Sequence, residues 1–308
     1  MNRNKKLLLS TLAAVILGLT GCQSTSKMNV VVDNNSIEVP KSPKKVVVMN
    51  YGALDTLDAL GKGSIVTAVP QSVIPSYLQK YNNIGIADTG NMKEPNIDAI
   101  KNLKPDLIII DGRQASKDAQ LRQIAPVLNL SVNAKNYYDS TRNHIYALAT
   151  ITGTESKGKA IIESLDVKLQ QAQAISHNSH KKAIVAIHND GKVILINNSS
   201  SAALIHDVLN VKRAVPAESN KITQIGEKPK PVFIDNNYIK SVKPDIIYVV
   251  DRSKAIGNTA MKENFFDSKV LKNSKTQVVY LTPDLWYLSG GGAESLERQI
   301  DEVINGLK

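Results

Sequence analysis

The chain has 308 residues, of which 42% are hydrophobic, so it is long and apolar enough to form two modest cores. It contains a single cysteine, which excludes an intramolecular disulfide and a metal site built from several thiolates. The formal net charge of +10 favours an anionic ligand or surface, with a generally basic surface as the plain alternative. No run of five lysines or arginines indicates a nucleic-acid-binding segment, so nucleic acid is not expected as a partner.

The first segment has the features of a targeting signal. Basic residues precede an apolar run over 7–19, which is too short to cross a membrane. The Leu-Thr-Gly-Cys sequence that ends at Cys22 resembles a bacterial lipobox, in which the cysteine becomes the lipidated first residue of the mature protein. We therefore expect residues 1–21 to be a signal peptide, Cys22 to carry lipid (palmitate included), and residues 22–29 to form a lipid-anchored tether.

This signal predicts an extracytoplasmic protein that is anchored to a membrane by lipid. Loss of residues 1–21 removes three basic and no acidic residues, which lowers the net charge from +10 to +7. The location is either the periplasm or the outer face of the cytoplasmic membrane, because Gln23 after the cysteine does not decide which membrane holds the lipid.

A first α/β lobe is predicted over residues 30–150. The apolar run 46–49 predicts a buried strand that leads into a helix over 54–60. A second unit, over 97–113, consists of an amphipathic stretch, a Lys-Pro-Asp turn, a continuous β-branched run and an arginine. Such a run is typical of a strand that is covered on both faces, and Arg113 then stands at its carboxyl end.

The two halves are joined by a predicted long helix, over 151–178. The residues from Thr152 to Glu155 have the spacing of a capping box, and an apolar helical pattern follows for about 22 residues, to a polar exit near Asn178. A single helix between two lobes is stiff, so we expect only small closure motions.

A second α/β lobe is predicted over residues 179–308. The unit seen in the first lobe is repeated over 238–252 and ends at Arg252. A helix is predicted over 202–209, with His206 on its surface beside Asp207. The histidines of the chain lack the spacing of a zinc or catalytic motif.

The repeated unit indicates where a ligand binds. In open α/β sheets, ligands bind at the carboxyl ends of the strands, so two lobes would each aim one arginine at a common cleft. The alternative is that Arg113 and Arg252 merely close two surface turns. The sequence predicts an α/β protein with two doubly wound lobes joined by a single long helix, and a cleft that suits an anionic ligand.

The order of five short segments resembles a known family. The chain is similar to the class III periplasmic binding proteins, and more closely to the catecholate siderophore-binding lipoproteins of iron ABC importers. The segments that carry this resemblance are Val46 to Asp55, Ile108 to Gln114, Ile205 to Leu209, Val249 to Arg252, and Asp284 to Leu288.

The resemblance implies a set of substrate-binding residues. Arg113 and Arg252 would contact the negatively charged ferric complex, and Tyr287, on an expected strand beside Trp286, would line the cleft and could bind iron directly. Tyr51 belongs to the same predicted set. For Tyr287 the alternative is a core aromatic residue beside Trp286. No intrinsic cofactor is expected, since the ferric siderophore is the ligand.

The chain departs from the family pattern at two places. Ser201 stands where relatives carry a third cleft arginine, and we include it among the substrate-binding residues. The 221–230 loop contains no histidine where relatives have one that reaches iron. Whether iron is coordinated directly by the protein therefore stays open, with Tyr287 as the one matched oxygen donor.

The resemblance also implies partners. Family members dock on an ABC permease, which works with its ATPase, through one acidic residue on each lobe. Glu94, at the start of a predicted helix, fits the first position. The second position holds Asn237, so we assign the second contact to Asp235. A monomer with no catalytic activity is expected.

Three other functions are alternatives to this one. A different anionic metal chelate, such as haem, is the alternative within the binding-protein class. An enzyme of the chelatase-like fold would need cluster-binding cysteines or an acid–base constellation, which the mature chain does not show. A structural or adhesive lipoprotein would leave the repeated arginines unexplained.

Overall fold

A computed structural model describes residues 26–33, 35–217 and 230–308. The predicted signal peptide, Cys22 and nearly all of the 221–230 loop lie outside the described residues.

An N-terminal hairpin precedes the first lobe. Strands β1 (Lys27–Val32) and β2 (Asn35–Pro40) pair antiparallel. Val30, Val32 and Val39 point into the core of the lobe, where they are buried. Strand β1 therefore begins three residues before the predicted boundary at residue 30.

The first lobe is built on a five-stranded parallel sheet with strand order β5-β4-β3-β6-β7. Its central strands are fully buried because helices cover both faces. The strands are β3 (Val46–Val48), β4 (Val66–Val69), β5 (Ala87–Asp88), β6 (Leu107–Ile110) and β7 (Val127–Asn129). The helices are α1 (Tyr51–Ala59), α2 (Ile97–Leu103), α3 (Asp118–Leu121) and α4 (Tyr137–Thr152).

The second lobe has a sheet of its own, in which β10-β8-β11-β12 are parallel and β9 is antiparallel to β8. The strands are β8 (Lys182–Asn189), β9 (Lys192–Leu195), β10 (Lys212–Arg213), β11 (Ile246–Asp251) and β12 (Gln277–Leu281). The helices that follow α5 (Glu155–Asn178), the helix between the lobes, are α6 (Ser200–Ala202), α7 (Asn236–Val242), α8 (Arg252–Ala255), α9 (Ser268–Ser274), α10 (Pro283–Tyr287) and α11 (Ala293–Leu307). The predicted two-lobed α/β fold is confirmed.

Helix α5 (Glu155–Asn178) connects the two sheets with 24 residues. The expected capping box at its start does not form. Thr152 is the last residue of α4, and Gly153 in the left-handed conformation (φ 65°) separates the two helices. Among the residues described, no helix is long and apolar enough to span a membrane.

The repeated Lys-Pro-Asp turn has a structural explanation in both lobes. Lys104 and Lys243 end helices α2 and α7 in the left-handed conformation, with φ of 49° and 50°. The carboxylate of Asp106 accepts hydrogen bonds from the backbone N–H groups of residues 44 and 45, and Asp245 accepts one from Lys182. Each aspartate thus ties its own strand to the start of the neighbouring one.

One helix prediction is wrong in detail. Residues 203–208 form a π-helical turn that continues α6, and His206 is buried in it instead of lying on the surface. Its Nδ1–H donates to the Val211 carbonyl oxygen at 2.8 Å. Burial lowers the pKa of His206 to about 4, so the imidazole is neutral at physiological pH.

The lobes meet at a second joint, besides α5, where the starts of α1 and α11 touch. A Cβ atom at Gly52 would lie 2.3 Å from the Gly290 carbonyl oxygen, so the two backbones are too close for a side chain. The buried Asp55 carboxylate accepts hydrogen bonds from the backbone N–H groups of Glu294 (3.2 Å) and Ser295 (3.1 Å) at the start of α11. This joint fixes the spacing of the lobes directly beside the cleft.

Candidate functional site

A cavity of about 380 Å³ lies between the lobes, at the carboxyl ends of strands from both sheets. This volume is typical of a small-molecule site. Its lining includes Arg113 and Ser131 from the first lobe, and Ser201, Trp286 and Tyr287 from the second. The cavity thus lies in the place that the repeated motif predicts.

Arg113 enters the cleft from a short 3-10 turn over 112–117 that directly follows β6. Asp111 caps this turn by accepting the N–H of Arg113, and its second carboxylate oxygen lies 2.6 Å from Arg113 Nη1. Arg113 Nη2 donates to the carbonyl oxygen of Tyr287 at 2.6 Å. The guanidinium is therefore paired with a carboxylate and tied to the opposite lobe.

Arg252 is the first residue of α8, directly after β11. Its Nε donates to the hydroxyl of Tyr287 at 2.8 Å, and its Nη1 donates to the side-chain oxygen of Asn189. No carboxylate in the part of the chain that the structure describes lies within ion-pair distance of this guanidinium. Arg252 does not itself line the 380 Å³ cavity, and it reaches the cleft through Tyr287.

Tyr287 lies between the two arginines. Its ring centre is 5.8 Å from the guanidinium carbon of Arg113 and 5.3 Å from that of Arg252, which are cation–π distances. Tyr287 ends helix α10, which corrects the expectation of a strand. Its neighbour Trp286 is buried, donates from Nε1 to Glu302 at 2.8 Å, and also lines the cavity.

The other two predicted substrate-binding residues have different placements. Ser201 lines the cavity together with Ser200. Tyr51 is fully buried in the first lobe, where its hydroxyl lies 2.6 Å from the Pro70 carbonyl oxygen and 2.8 Å from that of Val73. Burial, reinforced by the charge of Asp88, raises the pKa of Tyr51. Tyr51 is thus a core residue, which removes it from the set of cleft residues.

The two predicted docking acids are exposed. Glu94 lies in the loop before α2, three residues ahead of the helix that it was expected to start. Its carboxylate is 3.0 Å from Lys117 Nζ, at the end of the turn that carries Arg113. Asp235 caps α7 by accepting the N–H of Tyr238 at 2.8 Å.

Sequence reasoning missed the contact between His188 and Asp251. The His188 Nδ1 lies 2.7 Å from an Asp251 oxygen, and the backbone N–H of Gly191 points to His188 Nε2 at 3.1 Å. Burial opposes the charge of Asp251, but hydrogen bonds from His188 and from two backbone N–H groups hold the pKa of Asp251 below its usual value. The partners are 63 residues apart, so no local pattern reveals them.

The donor set of the cleft suits a preformed anion better than a bare metal ion. The polar side chains of the cavity and its immediate surroundings are mainly guanidinium, phenol, indole, amide and serine groups, and the one lining carboxylate, Asp111, is paired with Arg113. In the described ranges, no group of three histidine, cysteine, aspartate or glutamate residues is placed to hold a metal.

The chain belongs to the periplasmic binding protein family, whose sequence pattern matches residues 46–286. It is 35% identical to the petrobactin-binding protein YclQ of Bacillus subtilis (strain 168) over 324 residues, which cover 100% of both chains. The crystal structure of YclQ superposes with a TM-score of 0.83 and covers 92% of this chain and 99% of that one.

Two further relatives have names that concern iron. The ferric-anguibactin-binding protein FatB of Vibrio anguillarum (strain ATCC 68554 / 775) is 24% identical over 314 residues, 95% of each chain. The crystal structure of the iron uptake ABC transporter substrate-binding protein PiuA from Streptococcus pneumoniae Canada MDR_19A is 28% identical, with a TM-score of 0.78. It covers 91% of this chain and 99% of that one.

Proposed function

We propose that this protein captures a ferric siderophore of the anionic, catecholate type outside the cytoplasm and delivers it to an ABC importer. The observation that carries the proposal is the convergence of Arg113 and Arg252 from opposite lobes on Tyr287 at one cleft. The names of the relatives YclQ, FatB and PiuA support the same function. The role is binding and delivery, without catalysis.

The charges of the cleft agree with this ligand. A ferric tris-catecholate is negatively charged, and a guanidinium is weakly hydrated and presents a planar fork of donors. Hydrogen bonds that involve a charged group contribute about 1.5–3 kcal/mol each. The serine hydroxyls at positions 200 and 201 add neutral donors where a third arginine would further raise the positive charge.

Tyr287 is proposed to have a second role with chelates that leave iron coordination sites free. Its hydroxyl oxygen accepts a hydrogen bond from Arg252 Nε at 2.8 Å, so this oxygen lies beside a cationic group at the cleft. With such a siderophore, Fe(III) bound to phenolate should add a visible charge-transfer band that Tyr287→Phe removes. A saturated tris-catecholate should bind both proteins alike, and superimposable spectra with the incomplete chelate would show that Tyr287 is not a ligand.

Delivery is proposed to depend on the lipid and on the exposed acids. Cys22 would anchor the monomer to the membrane, and Glu94 and Asp235 would contact the permease, which works with its ATPase. Glu94→Ala should leave ligand affinity unchanged and lower uptake in cells. Cys22→Ser should release an active binding protein from the membrane, and retention there would indicate another anchor.

The direct test of capture uses Trp286, the single tryptophan of the chain, which lines the cavity. A ferric tris-catecholate should quench its fluorescence in a saturable way, and the iron-free catechol at the same concentration should not. Haem and ferric citrate serve as competing anionic chelates. Saturation by haem alone, or by no chelate, would contradict the proposed function.

A further inference from the structure

Three side-chain contacts extend the pairing of β8 and β11 beyond the sheet. The strands are parallel, and His188 is the register partner of Asp251. The same offset of 63 residues continues through the next two positions in each chain segment. The contacts join His188 to Asp251, Asn189 to Arg252, and the Asp190 N–H to Ser253 Oγ at 2.9 Å.

The contact between His188 and Asp251 involves the acidic residue that directly precedes Arg252 in the sequence. Asp251 is buried and accepts hydrogen bonds from His188 and from the backbone N–H groups of Lys254 (3.1 Å) and Met261 (2.7 Å). Its oxygens are thereby directed away from the neighbouring guanidinium, which is left to the neutral amide of Asn189.

The first lobe shows the opposite arrangement. There the cap residue Asp111 holds Arg113 directly, with a carboxylate oxygen 2.6 Å from the guanidinium. Both arginines are oriented by a short side chain of the same shape. In one lobe that side chain carries a negative charge, and in the other it does not.

We propose that Asn189 is a specificity-determining residue that orients Arg252 without neutralising it, so that the second lobe supplies the net positive charge that selects an anionic ligand. This inference rests on the proposed function for the identity of the ligand. His188 acts as a positioning residue in the same arrangement, because it keeps the Asp251 carboxylate away from Arg252.

Two substitutions separate charge from geometry. Asn189→Asp keeps the size and the acceptor of the side chain but places a carboxylate on the guanidinium, as Asp111 does in the first lobe. Asn189→Ala removes the acceptor and leaves the cation free. If charge decides, the isosteric variant is the worse binder, whereas a purely structural role would make the alanine variant the worse one.

The experiment titrates wild type, Asn189→Asp and Asn189→Ala with ferric tris-catecholate at low and high salt, by Trp286 fluorescence. We expect Asn189→Asp to bind about tenfold more weakly at low salt and to show a flatter salt dependence, because it removes a net charge. Asn189→Ala should lose only about threefold and keep the wild-type salt dependence. Asp111→Asn, the matched control in the first lobe, should bind more tightly than wild type.

Unchanged affinity in folded Asn189→Asp, or weaker binding by Asn189→Ala than by Asn189→Asp, would overturn the inference. Failure of the wild type to bind the ferric probe would instead overturn the proposed function. The same variants are then compared with iron-free citrate, by thermal shift. A weaker shift for Asn189→Asp than for Asn189→Ala supports the inference, and equal shifts or none overturn it.

Discussion

Arg113 and Arg252 both stand nine residues after the lysine of the repeated motif, yet their surroundings differ. Asp111 precedes its arginine by two residues and reaches the guanidinium, whereas Asp251 precedes its arginine by one and is held by His188. Arg113 is therefore neutralised by its aspartate, whereas Arg252 is hydrogen-bonded to neutral groups and keeps its positive charge. Equivalent places in a repeat do not imply equivalent electrostatics.

The largest loss of ligand affinity is expected from substitution of Arg252. Arg252→Ala removes the guanidinium that no described carboxylate balances, so affinity for a ferric tris-catecholate should fall by about 2–3 kcal/mol. The fold should stay intact because the side chain is partly exposed. Fluorescence titration measures the loss, and Arg252→Lys, which keeps charge without the fork, should recover only part of it. Wild-type affinity in the alanine variant would contradict the unequal charge of the two sides.

The spacing of the two lobes depends on the close contact between Gly52, at the start of α1, and Gly290, just before α11. Gly52→Ala places a methyl group against the Gly290 carbonyl oxygen, and the free energy of unfolding should drop by about 2 kcal/mol. Gly112→Ala is the matched control, since its added Cβ would meet its nearest neighbour, Ser131 Oγ, at an ordinary 3.6 Å. Equal urea-unfolding midpoints for both variants would show that the joint yields easily.

The same joint should make stability depend on pH. Burial raises the pKa of Asp55 to about 7, so the folded state favours the protonated acid. Its contribution to stability is present in acid and is lost as the pH rises through 7. The difference in unfolding free energy between wild type and Asp55→Asn should therefore fall by on the order of 2 kcal/mol from pH 5 to pH 8. A pH-independent difference, measured by urea unfolding, would show that Asp55 does not titrate in this range.

The smallest loss of ligand affinity is expected from substitutions in the first lobe. Arg113→Ala combined with Asp111→Asn removes both charges of the pair, so the net charge stays constant, and asparagine can still cap the turn. Affinity for the ferric tris-catecholate should fall by less than about 1 kcal/mol. If this double variant loses as much affinity as Arg252→Ala in the same titration, the two lobes contribute equally to ligand binding, which would contradict the expected difference.

The strands and the place of the cleft could be predicted because long buried β-branched runs and a repeated turn are local features. Strands β6 and β11 begin and end close to the predicted runs, and both arginines follow them. The side-chain directions could not be predicted. Tyr51 is the first residue of α1, and its side chain is buried in the core. His206 lies in a π-helical turn, which places its side chain on a face that the 3.6-residue period of an α-helix does not predict.

The electrostatic difference between the two sides also escapes the sequence. The different spacing of aspartate and arginine is visible in the two motifs, but its effect depends on residues 188 and 189, which approach only when β8 pairs with β11. Such contacts follow from the register of the parallel strands, and this register cannot be read from local sequence patterns.

The account is tested most directly by locating the iron. Crystals grown with a ferric tris-catecholate, measured at the iron absorption edge, should show one anomalous peak in the cavity between the lobes, beside Tyr287 and Arg113. A peak elsewhere, such as in the separate cavity beside His188 and Phe265 in the second lobe, would contradict the assignment of this cleft as the siderophore site.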